Sequence, residues 1–297
     1  MSRGARRDFS ARCVPGGAAR HCRAGSSSGG IQGLRFALET GLASGDGAGV
    51  GHDSHGEILL TPTTDNIIAR TTPNQCVCPT GITIARGTIW TIDPQREHLR
   101  SVRTDSLRQG ATIRLSRRMP LAITAYRHLL WVTVIGPVRN TSGGPSRGPG
   151  SIYWTNPQTG NVHGKLPVGT RPASVVAGLG RVWVVNANDA TITRVRPLSS
   201  GRASADEPIA YTEPSTDLQV VDASVGRGRF WMIDQRLRFV VVLTPTATTP
   251  TAIPVGLKRG ETLAAITSGP SGTYVAIAGP RPRICRVRDD LGVGPCR

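Results

Sequence analysis

The chain has 297 residues, of which 38% are hydrophobic and 36 are glycine, and this content is enough for a buried core. Its 36 lysines and arginines outnumber 19 acidic residues and give a net charge of +17. These figures exclude a small disulfide knot and a wholly disordered chain. The most apolar run, residues 237–243, is too short to cross a membrane, so no membrane span is expected.

The positive charge by itself does not predict nucleic-acid binding. Lys165 and Lys258 are the two lysines, so nearly all the cations are arginine, a bias that GC-rich coding also produces. Past the N-terminal segment the basic residues are dispersed, and no aromatic side chains are interleaved with them as in a single-strand binding groove. We therefore expect a monomer whose partner is a protein or a small-molecule ligand rather than a nucleic acid.

Residues 1–51 differ in composition from the rest of the chain. Arginine, glycine, serine and alanine dominate there, which predicts a disordered head before a folded domain at 52–297. The basic start is not followed by the apolar stretch of a signal peptide. As written the chain carries no export signal and is expected in the cytoplasm, although a mis-assigned start would give the same pattern.

A repeat in the folded region predicts its architecture. Three copies place a proline 11 residues before a tryptophan, and two weaker copies end in Trp231 and Tyr274. The three proline and tryptophan pairs are Pro79 and Trp90, Pro120 and Trp131, and Pro172 and Trp183. Successive copies start 41, 52, 45 and 45 residues apart, a period typical of propeller blades.

Each repeat reads as short strands separated by turns rich in glycine, asparagine and aspartate, which favours an all-β propeller over a β-sandwich. Residues 57–70 resemble the outer half of a further blade, and we expect them to complete the C-terminal repeat. Five repeats and this half blade predict six blades, and seven would require a degenerate blade in residues 31–50.

The segments 156–162 and 169–186 resemble the bacterial YVTN-type propeller repeat. That group includes virginiamycin B lyase and propeller domains fused to sensor kinases, and the similarity covers roughly residues 57–297. The resemblance implies a propeller outside the cytoplasm, in contrast to the missing export signal, so the compartment stays open. It also implies, as one alternative, a metal-dependent lyase or lactone hydrolase acting at the propeller mouth.

Candidate binding residues lie in the turns that follow the tryptophan strands, because these turns are expected to converge at one end of the ring. Acid and amide groups there suit Ca²⁺ or Mg²⁺, and arginines suit a carboxylate or phosphate. The candidates are Asp93, Glu97, Arg139, Asn186, Asn188, Asp189, Asp234, Arg236 and Arg281. The competing interpretation is that these residues are exposed to solvent and occur there because turns favour asparagine and aspartate.

The candidates contain no histidine, and histidines elsewhere occupy different repeat positions. A lyase would use a histidine or carboxylate base beside a divalent metal. The sequence therefore predicts a non-enzymatic ligand- or protein-binding propeller, with the metal-dependent lyase or hydrolase as the alternative.

The aromatic residues and cysteines have structural interpretations. The aromatics that end the repeats are expected to fill the gaps between blades, whereas Trp154 lies off their register and is expected to be exposed. Two cysteine pairs lie near the ends of the propeller: Cys76 and Cys78, and Cys285 and Cys296. They are either free thiols or a hairpin or seam disulfide, and a disulfide requires an oxidising compartment.

Overall fold

A computed structural model describes residues 42–45, 48–53, 56–60, 67–71, 81–94, 96–103, 106, 108–115, 119–141, 144–199, 201–214 and 221–296. For residues 42–71 and 138–147 it describes the backbone alone. Strands are the regular elements of this part of the chain, and no helix able to cross a membrane occurs among the residues described. The predicted all-β class is confirmed.

The first three sheets each contain four antiparallel strands that follow one another in the chain. The first sheet contains β1 (Leu42–Gly45), β2 (Ala48–Asp53), β3 (Gly56–Leu60) and β4 (Ile67–Thr71). The second contains β5 (Ile82–Ala85), β6 (Thr88–Asp93), β7 (His98–Arg103) and β8 (Gln109–Arg114). The third contains β9 (Pro120–Tyr126), β10 (Leu129–Val134), β13 (Ser151–Thr155) and β14 (Val162–Pro167), with the hairpin of β11 (Val138–Thr141) and β12 (Gly144–Arg147) inserted.

The last three sheets repeat the same order. The fourth contains β15 (Pro172–Gly178), β16 (Arg181–Asn186), β17 (Thr191–Pro197), β18 (Ala203–Ala205) and the short β19 (Ile209–Ala210). The fifth contains β20 (Val221–Gly226), β21 (Arg229–Asp234), β22 (Phe239–Leu243) and β23 (Thr251–Pro254). The sixth contains β24 (Thr262–Gly269), β25 (Gly272–Ala278), β26 (Arg283–Val287) and β27 (Val293–Cys296).

The same two-residue turn joins the first and second strands of four sheets. Both turn residues have positive φ, as at Leu179 (57°) and Gly180 (78°), which is the type I′ geometry whose twist matches a β-hairpin. The other three turns are Arg86-Gly87, Arg127-His128 and Arg227-Gly228. Identical turns give identical registers, and so the tryptophan of the second strand stands at the same place in these four sheets, as Trp90, Trp131, Trp183 and Trp231.

The hydrophobic core consists of layers between neighbouring sheets. Trp90 packs with residues of the third sheet, Trp131 with the fourth, Trp183 with the fifth and Trp231 with the sixth. All four tryptophans are buried. The predicted role of these aromatics in packing between sheets follows from this layering, since a repeated position fills a repeated gap.

The first strands of successive sheets contact one another in chain order, from β1 and β5 through β20 and β24. Consecutive antiparallel sheets that stack face to face with their first strands adjacent form the architecture of a β-propeller. Residues 57–70 do not complete the C-terminal repeat: they fall in β3 and β4 of the first sheet, and β27 supplies the fourth strand of the sixth sheet. The boundary predicted at residues 51 and 52 falls inside β2.

The prediction that Trp154 is exposed is wrong. Its side chain is 4% exposed and its ring stacks on Trp131, with 5.2 Å between the ring centroids. Trp154 lies on β13 directly opposite Trp131, so both rings fall on the same buried face. Its indole N–H donates to the carbonyl of Gly201 at 2.9 Å, which satisfies the buried polar group.

A disulfide joins Cys285 to Cys296 across the β26–β27 pair, where the two residues are direct cross-strand partners. It links the final strand to the buried part of the sixth sheet. Cys76 and Cys78 lie outside the described residues.

Candidate functional site

The turns between the second and third strands lie at one end of the sheets, together with the segments that lead into each first strand. We call this end the turn face; its described residues are 93–94, 96–97, 169–171, 186–190, 211–213, 234–238, 257–261 and 279–283. Every candidate binding residue of the sequence analysis except Arg139 falls on it. Arg139 lies on β11, in the inserted hairpin, and its backbone alone is described.

In the second sheet, Asp93 stabilises its own turn. Asp93 ends β6 with a buried side chain, and its Oδ1 accepts the backbone N–H of Arg96 at 3.0 Å. Arg96 Nη1 lies 3.7 Å from the other carboxylate oxygen. Glu97 occupies the turn at a φ of 58°, and its carbonyl accepts the N–H of Leu115. Asp93 Oδ2 is buried and has no hydrogen-bond partner among the described residues, so its contact with Arg96 is a long ion pair and not a hydrogen bond.

In the fourth sheet, Asn186 and Asp189 hold the turn after β16. Asn186 Nδ2 donates to the hydroxyls of Thr191 at 3.0 Å and Thr193 at 2.9 Å. Asp189 Oδ2 accepts the N–H of Thr170 at 2.5 Å, which ties the turn to the segment before β15. Asn186 Oδ1 and Asn188 Oδ1 are buried and have no hydrogen-bond partner among the described residues. This turn therefore offers oxygen acceptors that are not yet satisfied.

In the fifth sheet, Asp234 is surrounded by donors. It is completely buried, and Arg236 Nη2 lies 2.5 Å from its Oδ2, while Arg236 Nε donates to Oδ1 at 3.0 Å. The hydroxyl of Tyr211, which follows β19, donates to Oδ2 at 3.2 Å. Arg236 Nη2 also donates to the carbonyl of Ala187 at 3.3 Å and so links the turns of two neighbouring sheets.

The electrostatics follow from these contacts. Burial, followed by the nearby Asp234 charge, raises the pKa of the Tyr211 hydroxyl, so that it stays a donor at neutral pH. The hydrogen bond to Asp234 raises the pKa of Arg236. The group is therefore a fixed ion pair with a neutral phenol beside it, and it does not supply a free general base.

Replacing Arg236 by alanine is expected to lower the free energy of unfolding by about 2 kcal/mol, because a buried Asp234 then loses its cation and keeps Tyr211 as a donor. Urea unfolding measures the change. Arg96→Ala is the matched control, since Arg96 is 45% exposed and 3.7 Å from its aspartate, and its loss should be about 1 kcal/mol or less. Equal losses in the two variants would contradict the assignment.

In the sixth sheet, Arg283 donates to Glu261, whose second oxygen accepts the N–H of Lys258 at 2.6 Å. The hydrogen bond from Arg283 lowers the pKa of Glu261. The loops at 258–261 and 279–282 pack together, because a Cβ on Gly279 would lie 3.0 Å from the Glu261 side chain. Exposed cations on these loops form what we call the basic patch, which consists of Lys258, Arg259 and Arg281.

The structure brings together one group of the predicted residues and separates the others. Ala187, whose carbonyl Arg236 contacts, belongs to the turn that holds Asn186, Asn188 and Asp189, so those residues and Asp234 form one cluster. Asp93 lies in the second sheet, at the end of β6, and Arg281 lies in the sixth, between β25 and β26. Tyr211, Glu261, Lys258 and Arg259 were not predicted, because they lie between the repeats and no periodic signal marks them.

Asp222 is a further titratable group, on the first strand of the fifth sheet. Its carboxylate accepts the N–H of Ile266 on β24 at 2.8 Å and the N–H of Ala223 at 2.9 Å. Loss of water between the two strands raises the pKa of Asp222 to about 6, and the two backbone hydrogen bonds lower it in part. The Asp222 carboxylate therefore joins the fifth sheet to the sixth. Ser224 makes a similar link, because its hydroxyl accepts the N–H of Ser268 at 2.9 Å.

This pKa predicts a pH dependence of stability. The folded-state pKa of Asp222 is raised above the unfolded value near 4, so its contribution is complete below about pH 4 and is lost as the pH rises through about 6. Relative to the Asp222→Asn variant, the chain should lose about 2 kcal/mol of unfolding free energy across this window. Urea unfolding at several pH values measures this loss. If the unfolding free energy of Asp222→Asn changed with pH as much as that of the unaltered chain, the prediction would be wrong.

Comparison with known proteins identifies the fold. No model of a known protein family matches the chain, and no curated protein matches its sequence. A streptogramin B lyase structure is 16% identical with a TM-score of 0.60, and the match covers 87% of this chain and 82% of that chain. A catalytically inactive virginiamycin B lyase from Staphylococcus aureus with quinupristin is 14% identical with a TM-score of 0.58, covering 86% and 84%.

The Kuenenia stuttgartiensis hydrazine synthase matches at 12% identity with a TM-score of 0.63 and covers 90% of each chain. The resemblance to virginiamycin B lyase-like propellers is confirmed at the level of the fold. A lyase and a synthase share this architecture, so the fold does not select between functions.

Proposed function

We propose that this propeller is a monomeric binding module that holds an acidic ligand on its turn face and does not transform it. The observation that carries the proposal is that three carboxylates of the turn face are already paired with arginines. The pairs are Asp93 with Arg96, Asp234 with Arg236, and Glu261 with Arg283. A carboxylate held by an arginine is a weak base and a poor metal ligand, and so these groups serve the architecture of the turns.

The basic patch supports an acidic ligand. Lys258, Arg259 and Arg281 are exposed, and the one carboxylate in their loops, Glu261, is occupied by Arg283. Arginines presented on rigid loops suit the planar, two-oxygen geometry of a carboxylate. Exposed aromatic rings, which a single-stranded nucleic acid would use for stacking, do not accompany the patch among the described turn-face residues.

The proposal includes six blades, each formed by one of the four- or five-stranded sheets. Two observations support this blade number. The first strands of the six sheets contact one another in chain order, and in four sheets a tryptophan packs against the following sheet. In such a ring the turns after the second strands face the same side, which concentrates the basic patch and the cluster around Asp234 on one surface.

A thermal-shift screen of the full chain tests the ligand class. Small dicarboxylates and an acidic peptide are expected to raise the melting temperature, because a ligand that binds the folded state stabilises it by mass action. The variant with Lys258, Arg259 and Arg281 all changed to glutamine should lose the shift. A variant with Arg202, Arg286 and Arg288 changed to glutamine carries the same net charge and should keep it.

Equal shifts in both variants, or no shift with any acidic compound, would refute an acidic ligand at the basic patch.

A metal-dependent lyase or lactone hydrolase is the second candidate, and two observations favour it. Among the described residues the buried Asn186 Oδ1 and Asn188 Oδ1 have no hydrogen-bond partner, and they belong to the same turn as the Asp189 carboxylate. An all-oxygen set with one negative charge fits Mg²⁺ or Ca²⁺ weakly. His98 pairs with Asp93 across the β6–β7 ladder and is the histidine available as a base near the described turn face. Turnover that EDTA abolishes would support this candidate.

A further inference from the structure

The end of the sheets opposite the turn face carries a concentration of arginines. We call it the arginine face; it consists of the turns that join first to second strands and third to fourth strands in the second to sixth sheets. Its described residues are 86–87, 106, 108, 127–128, 156–161, 179–180, 198–199, 201–202, 227–228, 244–250, 270–271 and 288–292. Their charged members are the six arginines Arg86, Arg108, Arg127, Arg202, Arg227 and Arg288 and the two aspartates Asp289 and Asp290.

Hydrogen bonds between neighbouring sheets make these turns one surface. Arg86 Nε of the second sheet donates to Nδ1 of His128 in the third sheet at 3.3 Å. Arg127 Nη1 of the third sheet donates at 3.2 Å to the carbonyl of Pro197, which ends β17 of the fourth. The turns of these three sheets therefore lie side by side.

The contacts continue to the sixth sheet. Arg194 Nη1 of the fourth sheet donates to the carbonyl of Pro245, in the turn between β22 and β23 of the fifth, at 3.0 Å. Arg227 Nη1 of the fifth sheet donates to the carbonyl of Pro270 in the sixth at 3.3 Å. The arginine face is thus continuous from the second sheet to the sixth.

Four of its arginines keep an uncompensated positive charge. Arg86 and Arg127 donate to neutral groups, an imidazole nitrogen and a backbone carbonyl. No carboxylate among the described residues contacts these two side chains, nor those of Arg108 and Arg202, and all four residues are exposed. Each guanidinium therefore has N–H donors left for a ligand.

The other two arginines account for both aspartates of the arginine face. Arg227 Nη2 donates to the two carboxylate oxygens of Asp289 at 2.7 and 2.8 Å, and Arg288 Nε lies 3.3 Å from Asp290 Oδ1. The excess charge therefore lies over the second, third and fourth sheets. On the turn face, in contrast, six acidic residues stand against eight basic ones among those described.

The arrangement of these arginines suits a row of phosphates. Arg86 and Arg127 hold the first place of the same type I′ turn in neighbouring sheets, so the same cation recurs from one sheet to the next. A guanidinium matches the oxygens of a phosphate, and a nucleic-acid duplex carries phosphates at regular intervals on its outside. A regular polyanion therefore fits this surface better than an irregular acidic protein.

The uncharged residues distinguish a duplex from two other polyanions. No aromatic residue occurs among the described residues of the arginine face, so a single strand finds no ring on which to stack its bases. An anionic membrane would require apolar side chains that enter it. Leu198, in the turn after β17, and Val162, at the start of β14, are 41% and 46% exposed, and two aliphatic side chains do not form such an apolar surface.

We propose that the arginine face binds the phosphate backbone of a nucleic-acid duplex without reading its sequence. The basic residues are dispersed along the chain, but the fold gathers them at one end because each sheet contributes its own turns. Contacts to phosphates position a duplex and carry no sequence information. The arginine face shares no residue with the turn face and lies at the opposite end of the sheets.

Fluorescence anisotropy of the full chain with labelled duplexes tests the proposal over a range of salt concentrations. DNA and RNA duplexes of the same sequence and length distinguish the two sources of the phosphate backbone, and the tighter complex identifies the source. Four arginine contacts predict that the logarithm of the affinity falls with the logarithm of the salt concentration at a slope of about −4. A duplex of scrambled sequence should bind equally well.

The variant with Arg86, Arg127 and Arg202 all changed to glutamine should reduce the steepness of this slope by about 3, one for each phosphate contact removed. The matched control changes Lys258, Arg259 and Arg281 to glutamine, which removes the same charge from the turn face and should leave the slope unchanged. The basic N-terminal segment is present in both variants, so the difference between them reports on the two faces alone.

Circular dichroism establishes that the variants fold. If the triple variant does not, Arg202→Gln alone replaces it, because the Arg202 side chain has no hydrogen bond or ion pair among the described residues. This single change should reduce the steepness of the slope by about 1.

Four results would overturn the proposal. They are no binding to either duplex at low salt, equal losses in the arginine-face variant and the control, tighter binding to a single strand of the same length, and tighter binding to vesicles of phosphatidylserine and phosphatidylcholine. The turn face is tested separately, with small acidic ligands, so failure of duplex binding does not bear on it.

Discussion

Changing Trp183 to alanine is expected to lower the free energy of unfolding by about 4 kcal/mol, the largest effect of any substitution considered. Trp183 is fully buried between the fourth and fifth sheets, and its ring stacks on Phe230 with 4.8 Å between centroids. Its indole N–H donates to the carbonyl of Gly178 at 3.2 Å. The substitution removes the ring from the layer that holds two sheets together and leaves a cavity there.

Tyr274 provides the matched control, because it is the corresponding aromatic residue of the last repeat. It is only half-buried, and its hydroxyl donates to the nearby Ser271 carbonyl. Tyr274→Ala should cost about 1 to 2 kcal/mol. Chemical unfolding followed by circular dichroism measures both losses. If the two variants lost the same stability, the repeated aromatics would not act through packing between sheets.

Changing Arg194 to alanine is expected to cost about 3 kcal/mol. Arg194 is buried, its Nη1 donates to the carbonyls of Pro245 at 3.0 Å and Ala247 at 2.9 Å, and its Nε lies 3.4 Å from Asp206 Oδ2. One guanidinium therefore joins the fourth sheet to the turn between β22 and β23 of the fifth. Its removal leaves two carbonyls without this donor and removes one ion-pair partner of Asp206.

Arg196 is the natural control for Arg194. It lies two residues further along β17 and is 54% exposed, with its Nη2 3.6 Å from the same Asp206. Arg196→Ala should change the unfolding free energy by about 0.5 kcal/mol or less. A loss from Arg196→Ala as large as that from Arg194→Ala would show that the charge of Asp206, rather than the link between sheets, determines the effect.

The architecture could be predicted from the sequence because it depends on repeated local features. Four sheets share two features: a two-residue turn before the second strand, and a tryptophan at the same distance after that turn. These features occupy equivalent positions in the four sheets. Trp154 was mispredicted because the repeat pattern follows the second strand alone. The third strand places its own residues on the same buried face, which the register between Trp131 and Trp154 shows.

The candidate site was only partly predictable, because its contacts join turns that are distant in the chain. The sequence identified Asp234 and Arg236, but the Tyr211 hydroxyl reaches Asp234 across 23 residues, and Arg236 reaches Ala187 across 49. Spacing does not reveal such pairs. Nor does it show that carboxylates predicted as metal ligands already have arginine partners, since this depends on which side chain the fold brings beside each carboxylate.

The most direct test of the account is calorimetric titration of the full chain with Mg²⁺ and with Ca²⁺ at neutral pH. Because Asp93, Asp234 and Glu261 are paired with arginines and Asp189 accepts the N–H of Thr170, we expect no saturable heat with either ion. We expect acidic ligands to bind, and EDTA to leave their binding unchanged. Saturable binding of a divalent ion that is lost in Asp189→Asn would contradict it and would establish the turn after β16 as a metal centre.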